Sequence, residues 1–399
     1  MEVTRKKVVM MSLEADLAER NLKIRRLLDA RGLSALILTS RDHFEYFTGF
    51  RTMLWASFAR PYFAIITPDD SSTKVLVPPI EMRNAEYNPG GCDFIYYEGF
   101  VDEALTCLEK TLARSITAGS LVGVDYGDES FGRGFCGLEA LVERAGGRVP
   151  VIEAANVIWD VRMFKSEFEI TQKRRACKIA TDAFFQSLPL LRIGNSEQDF
   201  ARALASRMFL GGAESVDWLP VRFGTGRWPA PRHPTSRPLS EDDFLWTDMG
   251  CSFEGYKSDV SRVAKAGMPS SQQQAEYGRI RELTLAFGDA VRPGMTCDEI
   301  AREFGRLVGV SSAKAGRPNS TVAAPAGRVA HGSGLGYTEP PSVMQGSAQV
   351  IRPGMVLHVE PRSEFADGVF QTEEVLVVRD QGIEWLSELA PASLPVIEH

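Results

Sequence analysis

"FLWTDMGCSFEGYKSDVSR", residues 244–262, places two aspartates on either side of a turn-like stretch from Cys251 to Gly255. Asp248 ends an apolar run, Phe244-Leu245-Trp246-Thr247, and Asp259 follows eleven residues later. A β-hairpin centred on Phe253-Glu254 would set Asp248 directly opposite Asp259. Opposed Cβ atoms in an antiparallel pair lie about 4.5–5.5 Å apart, and like charges there are destabilising. Such a hairpin calls for a neutralising partner.

A second hairpin poses the same problem. In "MVLHVEPRSEFADGVFQTEEVLVV", residues 355–378, one strand alternates Val356, His358 and Glu360, and another ends in Val375-Leu376-Val377-Val378. A turn centred on Ala366-Asp367 pairs Glu360 with Glu373. Buried like charges either stay protonated or coordinate metal. Between the two hairpins lies "RVAHGSGLGYTEPPSV", residues 328–343. There Gly332 and Gly334 follow His331 and let the backbone approach a site closely. Two Asp, two Glu and one His form an oxygen-rich set with a single imidazole. That set suits two neighbouring divalent ions such as Mn²⁺, Co²⁺, Fe²⁺ or Zn²⁺. Two-metal sites hold their ions about 3.5–4 Å apart.

Outward from these stretches, the chain has 399 residues, 44% of them hydrophobic, enough for a large core in two domains. Its formal net charge is −7 and it has no long basic run, which argues against nucleic acid as the main partner. Cys92, Cys107, Cys136, Cys177, Cys251 and Cys297 lack metal-binding spacing and read as reduced thiols. No apolar run reaches the length of a membrane span, and the N-terminus has too short an apolar part for a signal peptide. A cytoplasmic protein is expected.

Helix and strand alternate through about residue 155, as in "LAERNLKIRRLLDARGLSALILTS" and "LVGVDYG". The domain boundary is expected near Arg162–Ser166, dividing the chain into 1–162 and 163–399. The second part reads as further helices and several hairpins, with Arg-Pro-Gly-Met turns at 292–295 and 352–355.

These motifs resemble the M24 metallopeptidase superfamily of methionine aminopeptidase, aminopeptidase P, prolidase and the creatinase-like enzymes. The family's metal pattern matches here at Asp248, at Asp259 in "GYKSDVSR", at His331 in "HGSGLG", at Glu360 in "VEPR", and at Glu373, nine residues before Gly382. That last spacing selects Glu373 over Glu374. "DHFEYFTGF" and "VRMFKSEFEI" are similar to the family's N-terminal domain and domain junction.

The resemblance implies an α+β protein: an α/β creatinase-like N-terminal domain, then a pita-bread catalytic domain with a curved antiparallel sheet and internal pseudo-symmetry. The repeated Arg-Pro-Gly-Met turns fit that symmetry. It also implies two divalent cations among the five ligands; the family's metal-free creatinases lack this full acidic set. Hydrolysis by a metal-bridging hydroxide, with Glu360 relaying the proton, is the expected chemistry.

Two departures bear on substrate. Peptidases of the family carry a second His seven residues after the metal-binding one, where this chain has Thr338, and a His upstream of the first Asp. In "RWPAPRHPTSRPL", residues 227–239, a gapless match puts Pro231 at that upstream position, and His233 lies two residues on. Trp55 and Arg60, in "FRTMLWASFARPYFAIIT", lie where creatinase-like dimers send a loop into the partner's active site. Arg60 reads either as a carboxylate receptor in a homodimer or as a surface arginine. The expected substrate is a dipeptide, an Xaa-Pro peptide or an N-acyl or guanidino amino-acid derivative. The alternatives are a lyase of the same fold, like the dimethylsulfoniopropionate lyases, and an inactive binding relative.

Overall fold

The computed structural model describes residues 12–56, 59–115, 120–126, 150–225, 232–316, 322–323, 327–365 and 368–398. The chain divides into two compact units, Met1–Arg162 and Met163–His399.

In the first unit, a sheet runs in the order Asp93–Tyr96, Lys74–Val77, Phe63–Ile66, Ala35–Leu38, Val122–Val124, Val151–Glu153. Phe63–Ile66 pairs antiparallel with both neighbours, and the remaining pairs are parallel. Short, wholly apolar strands such as Ala-Leu-Ile-Leu at 35–38 are buried along their length, as expected for a sheet covered on both faces. Helix Val101–Ser115 lays Ala104, Leu105, Leu108 and Leu112 against Ile37, Ile65 and Leu76 of that sheet. Helix Leu13–Ala30 ends before Gly32, whose φ is 66°.

The second unit is built from two helix pairs, Glu167–Ser187 with Glu197–Leu210 and Ser271–Ala290 with Cys297–Ala315. Each of the four helices starts with a capping box, formed by Ser166 and Glu169, Ser196 and Asp199, Ser270 and Gln273, and Thr296 and Glu299. Each box satisfies two backbone N–H groups that the first turn leaves unpaired.

The repeat within this unit differs from the one expected of the paired Arg-Pro-Gly-Met turns. Those two turns pack on each other: the Gly294 N–H donates to the Ile351 carbonyl and the Ile351 N–H to the Met295 carbonyl. The counterpart of the turn at 292–295 is instead Arg192-Ile-Gly-Asn, which joins the first helix pair. Gly194 and Gly294 there share φ values of 91° and 92°.

The strands form sheets that meet along the two acidic hairpins. One sheet runs Val396–Ile397, Ser261–Ala266, Phe244–Asp248, Val221–Gly224. Another runs Glu339–Val343, Ala330–Gly332, Val356–Val359, Glu374–Arg379, Gly382–Trp385. Leu245, Met249 and Ala264 pack beneath Phe184, Leu204 and Met208 of the first helix pair. Phe244 and Trp246 pack with Tyr277, Val369 and Phe370.

The first hairpin corrects the expected register. Asp248 lies opposite Ser261, not Asp259. The turn centres one residue later, on Glu254-Gly255, flanked by the pair Phe253 and Tyr256. Both central residues have positive φ, 49° at Glu254 and 81° at Gly255. A two-residue hairpin turn of this hand needs positive φ at both centres, which bulky Phe253 resists and glycine accepts. Moving the centre by one residue shifts the pairing by two. Asp248 and Asp259 therefore stay on one face as diagonal neighbours, still within side-chain reach.

The second hairpin has the expected register. Its ladder pairs Val359 with Glu374 on one side of the acidic residues and Arg362 with Gln371 on the other. The turn at 366–367 lies outside the described residues; the flanking pair is Phe365 and Gly368.

Candidate metal centre

Asp259, His331, His358 and Glu373 each offer a ligand atom, and these atoms lie within 4.8 Å of one another. All four residues are buried. Glu360 joins them through His331, with Oε1 3.6 Å from Nε2. Asp248 reaches the same group on the side of Asp259, whose carboxyl it contacts.

Local structure aims each of these groups. Asp248 ends the strand Phe244–Asp248, and Asp259 sits where the ladder breaks before Ser261–Ala266. The Trp218 indole N–H donates to Asp248 Oδ2 at 2.7 Å, while the buried Oδ1 has no hydrogen-bond partner among the described residues. Glu373 Oε2 accepts from Ser261 Oγ at 2.9 Å. Neighbouring Glu374 points away and accepts from Arg262, Ser387 and the Ala390 N–H. Arg262 also donates to the Glu373 carbonyl at 2.9 Å, tying the second hairpin to the first.

His331 is oriented by its own loop. Its Nδ1 lies 3.0 Å from the Gly332 carbonyl, so Nδ1–H donates there. Nε2 then carries a lone pair, aimed at Asp259 Oδ2 at 3.9 Å and Glu360 Oε1 at 3.6 Å. Acceptors facing one another at these distances, without a donor between them, fit a cation bound at their midst. Gly332 itself is needed by the neighbouring strand, since a Cβ there would lie 2.3 Å from the Pro340 carbonyl oxygen.

The electrostatics agree. Burial, then Asp248 and Glu360, holds the Asp259 carboxyl well above the usual carboxylate range. Glu373 is raised likewise by burial, then by Asp259, Asp248 and Glu360. Burial and Asp248 push Glu360 up to about 7. Burial, then the Arg328 charge, holds His331 down to about 3. Without a cation the buried carboxyls retain protons; a divalent ion replaces those protons and satisfies the donor set.

The other residues singled out from the sequence lie as follows. Thr338 is exposed, and its Oγ1 accepts from Arg328 Nη2 at 3.2 Å. His233 is exposed, and among the described residues its ring has no hydrogen-bond partner. Pro231 lies outside the described residues. In the first unit, Arg60 is exposed with its guanidinium 4.9 Å over the Phe100 ring. Trp55 is half-buried, 5.1 Å from both the Phe44 and Tyr62 rings.

Sequence reasoning missed His358, Trp218 and Arg328. The signal for His358 was present, because strand alternation puts it on the face of Glu360. Arg328 opens the stretch 328–343, three residues before His331, but nothing in its spacing marked it, and Trp218 reaches the centre from a separate strand, Ser215–Trp218.

Comparison with known proteins settles the family. Residues 171–380, just over half of the chain, match the model of metallopeptidase family M24. This chain belongs to that family. Residues 20–164 match the creatinase/prolidase N-terminal domain. An Xaa-Pro dipeptidase of Pyrococcus horikoshii is 25% identical over 377 residues, covering 93% of this chain and 97% of the relative. The uncharacterized peptidase YqhT of Bacillus subtilis is 25% identical over 371 residues, covering 90% and 95%. The crystal structure of dipeptidase PepE from Mycobacterium ulcerans superposes with a TM-score of 0.80 at 22% identity, covering 97% of this chain and all of that one. The architecture is thus the creatinase-like N-terminal domain followed by the M24 pita-bread domain. The protein is an M24-family metallohydrolase of the peptidase-like kind, and its centre fits divalent metal ions. No helix among the described residues is long and apolar enough to cross a membrane.

Proposed function

We propose that the chain hydrolyses a small amide-type substrate, a dipeptide, Xaa-Pro peptide or N-acyl or guanidino amino-acid derivative. Two divalent ions, Mn²⁺ foremost, would be held by Asp248, Asp259, His331, Glu360 and Glu373. The observation that carries this reading is the bare His331 Nε2 facing Asp259 and Glu360. Bound there, two such ions would polarise the amide carbonyl and make water a competent nucleophile near neutral pH.

The chain's own groups do the rest. Glu360 takes and returns a proton at Oε1 or Oε2. Gln371 Nε2 donates to Glu360 Oε2 at 3.4 Å and helps orient that carboxyl. Arg328, whose charge acts on both His331 and Glu360, has Thr338 as its hydrogen-bond partner and retains donors for a substrate carboxylate. His233 is the candidate for the upstream histidine's role. Arg60 and Trp55 are assigned to a neighbour's pocket in a homodimer, and five free cysteines among the described residues support a cytoplasmic setting.

Thr338 favours a second reading. A hydroxyl tied to Arg328 cannot supply the cationic donor that an imidazole would, which suits a small-molecule hydrolase or lyase of the same fold. A panel of Xaa-Pro dipeptides and small N-acyl and guanidino compounds, assayed with Mn²⁺ before and after chelation, separates the two. Turnover that survives verified metal loss would overturn both. Mixing Arg60→Ala chains with Asp259→Asn chains tests the homodimer: one pocket per heterodimer is intact, so activity returns. No return in confirmed heterodimers would mean that Arg60 acts within its own chain or not at all.

A further inference from the structure

The cluster contains an imidazole that the five-ligand set does not use. His358 is completely buried on the strand Val356–Val359, directly across from His331. The two rings stack with centroids 4.9 Å apart and planes 7° from parallel. His358 Nδ1 lies 3.1 Å from Glu373 Oε1, and Nε2 lies 2.6 Å from Ser333 Oγ. Ser333 is itself buried, two residues after His331.

Hydrogen-bond accounting fixes the roles. When bound metal keeps Glu373 ionised, that carboxylate only accepts, and a neutral imidazole has one donor and one acceptor nitrogen. Nδ1–H therefore donates to Glu373, Nε2 accepts, and the Ser333 hydroxyl donates to it. Both ring nitrogens are then occupied by protein partners, and neither is free to hold an ion. Glu373 is gripped at both oxygens, Oε1 by His358 and Oε2 by Ser261.

We infer that His358, locked in one tautomer by Ser333, is a positioning residue that aims the Glu373 carboxylate at the metals. The inference rests on the reading of Glu373 as a metal ligand. Outer partners that hydrogen-bond a metal ligand typically contribute about 10- to 100-fold to metal affinity. The stacking on His331 lets the same ring brace a second ligand.

The test is calorimetric titration of the chelator-stripped full-length protein with Mn²⁺, with Co²⁺ absorption spectra alongside. His358→Leu should weaken Mn²⁺ binding about 10- to 100-fold. His358→Asn, whose side-chain N–H can stand where Nδ1–H stands, should recover most of the loss. Ser333→Ala should fall between, and the Co²⁺ bands should keep their positions in every variant. His358→Asn as weak as His358→Leu, with shifted Co²⁺ bands, would make His358 a direct ligand and overturn the inference. Wild-type Mn²⁺ affinity in His358→Leu would reduce the residue to packing and overturn it as well. If His358→Leu does not fold, Ser333→Ala decides, and wild-type affinity there sinks the proposal. Wild-type protein that takes up no Mn²⁺ removes the centre itself, a failure distinct from loss of positioning.

Discussion

The two acidic hairpins have one plan and different turns. Each runs as a ladder, breaks at its acidic residues, and resumes as a second ladder in another sheet. In the first, pairing of Phe244–Asp248 with Ser261–Ala266 gives way to pairing of Gly250–Phe253 with Tyr256–Lys257. In the second, pairing of Val356–Val359 with Glu374–Arg379 gives way to pairing of Arg362–Phe365 with Gly368–Gln371. The carboxylates of both hairpins sit at these joints, where side chains leave the ladders and can converge. The hairpins differ in how the turn sets register: the first depends on positive φ at Glu254 and Gly255. A register set by turn chemistry can move by two residues without changing the face a side chain occupies.

The comparison makes the hairpins equal halves of one centre, and the largest effects test that equality. Asp259→Asn and Glu373→Gln should each cost more metal affinity than the roughly 10- to 100-fold of an outer-partner change. Activity should fall in parallel, measured by titration and turnover. The metal-free Asp259→Asn protein should be more stable than wild type at pH 8, because a buried carboxyl held above its ordinary range opposes folding once it ionises. One hairpin proving dispensable would break the comparison.

The next effect is the dependence of metal uptake on pH. Glu360 is raised to about 7, so the metal-free fold keeps a proton there that the unfolded chain loses in the ordinary carboxylate range. Metal-free stability from this group is therefore present at low pH and lost as pH rises toward 7. Divalent ions must displace that proton together with those on Asp259 and Glu373, so Mn²⁺ affinity should rise at least about tenfold per pH unit below 7. His331, held down to about 3, stays neutral across that range and adds no competing proton. An affinity constant between pH 5 and 7 would contradict the assignment of Glu360.

The smallest effect belongs to the turn. Gly255→Ala puts a Cβ on a residue at φ 81° and should cost about 1–2 kcal/mol, read from chemical denaturation. A neutral result would show that the first turn does not hold its register under load.

The sequence made the architecture and the acidic set legible because both rest on local pattern. The capping boxes, the apolar strands and the Asp, His and Glu spacings are all written within short stretches. The pairing of Asp248 could be misplaced because Phe253-Glu254 and Glu254-Gly255 give similar strand lengths, and the signal that separates them is the single Gly255, which accepts the positive φ that Phe253 resists. His358 was visible as an alternating strand residue, yet its role depends on Ser333 and Glu373 from other strands. Trp218 and Arg328 act on Asp248 and Thr338 through contacts that no spacing encodes. Arg60, Trp55 and His233 were drawn from the family resemblance, which the mixing and substrate experiments test.

The most direct measurement is anomalous scattering from crystals soaked in Mn²⁺. The account predicts two peaks about 3.5–4 Å apart, enclosed by Asp248, Asp259, His331, Glu360 and Glu373. No peak among these five residues, or manganese bound only elsewhere, would contradict it.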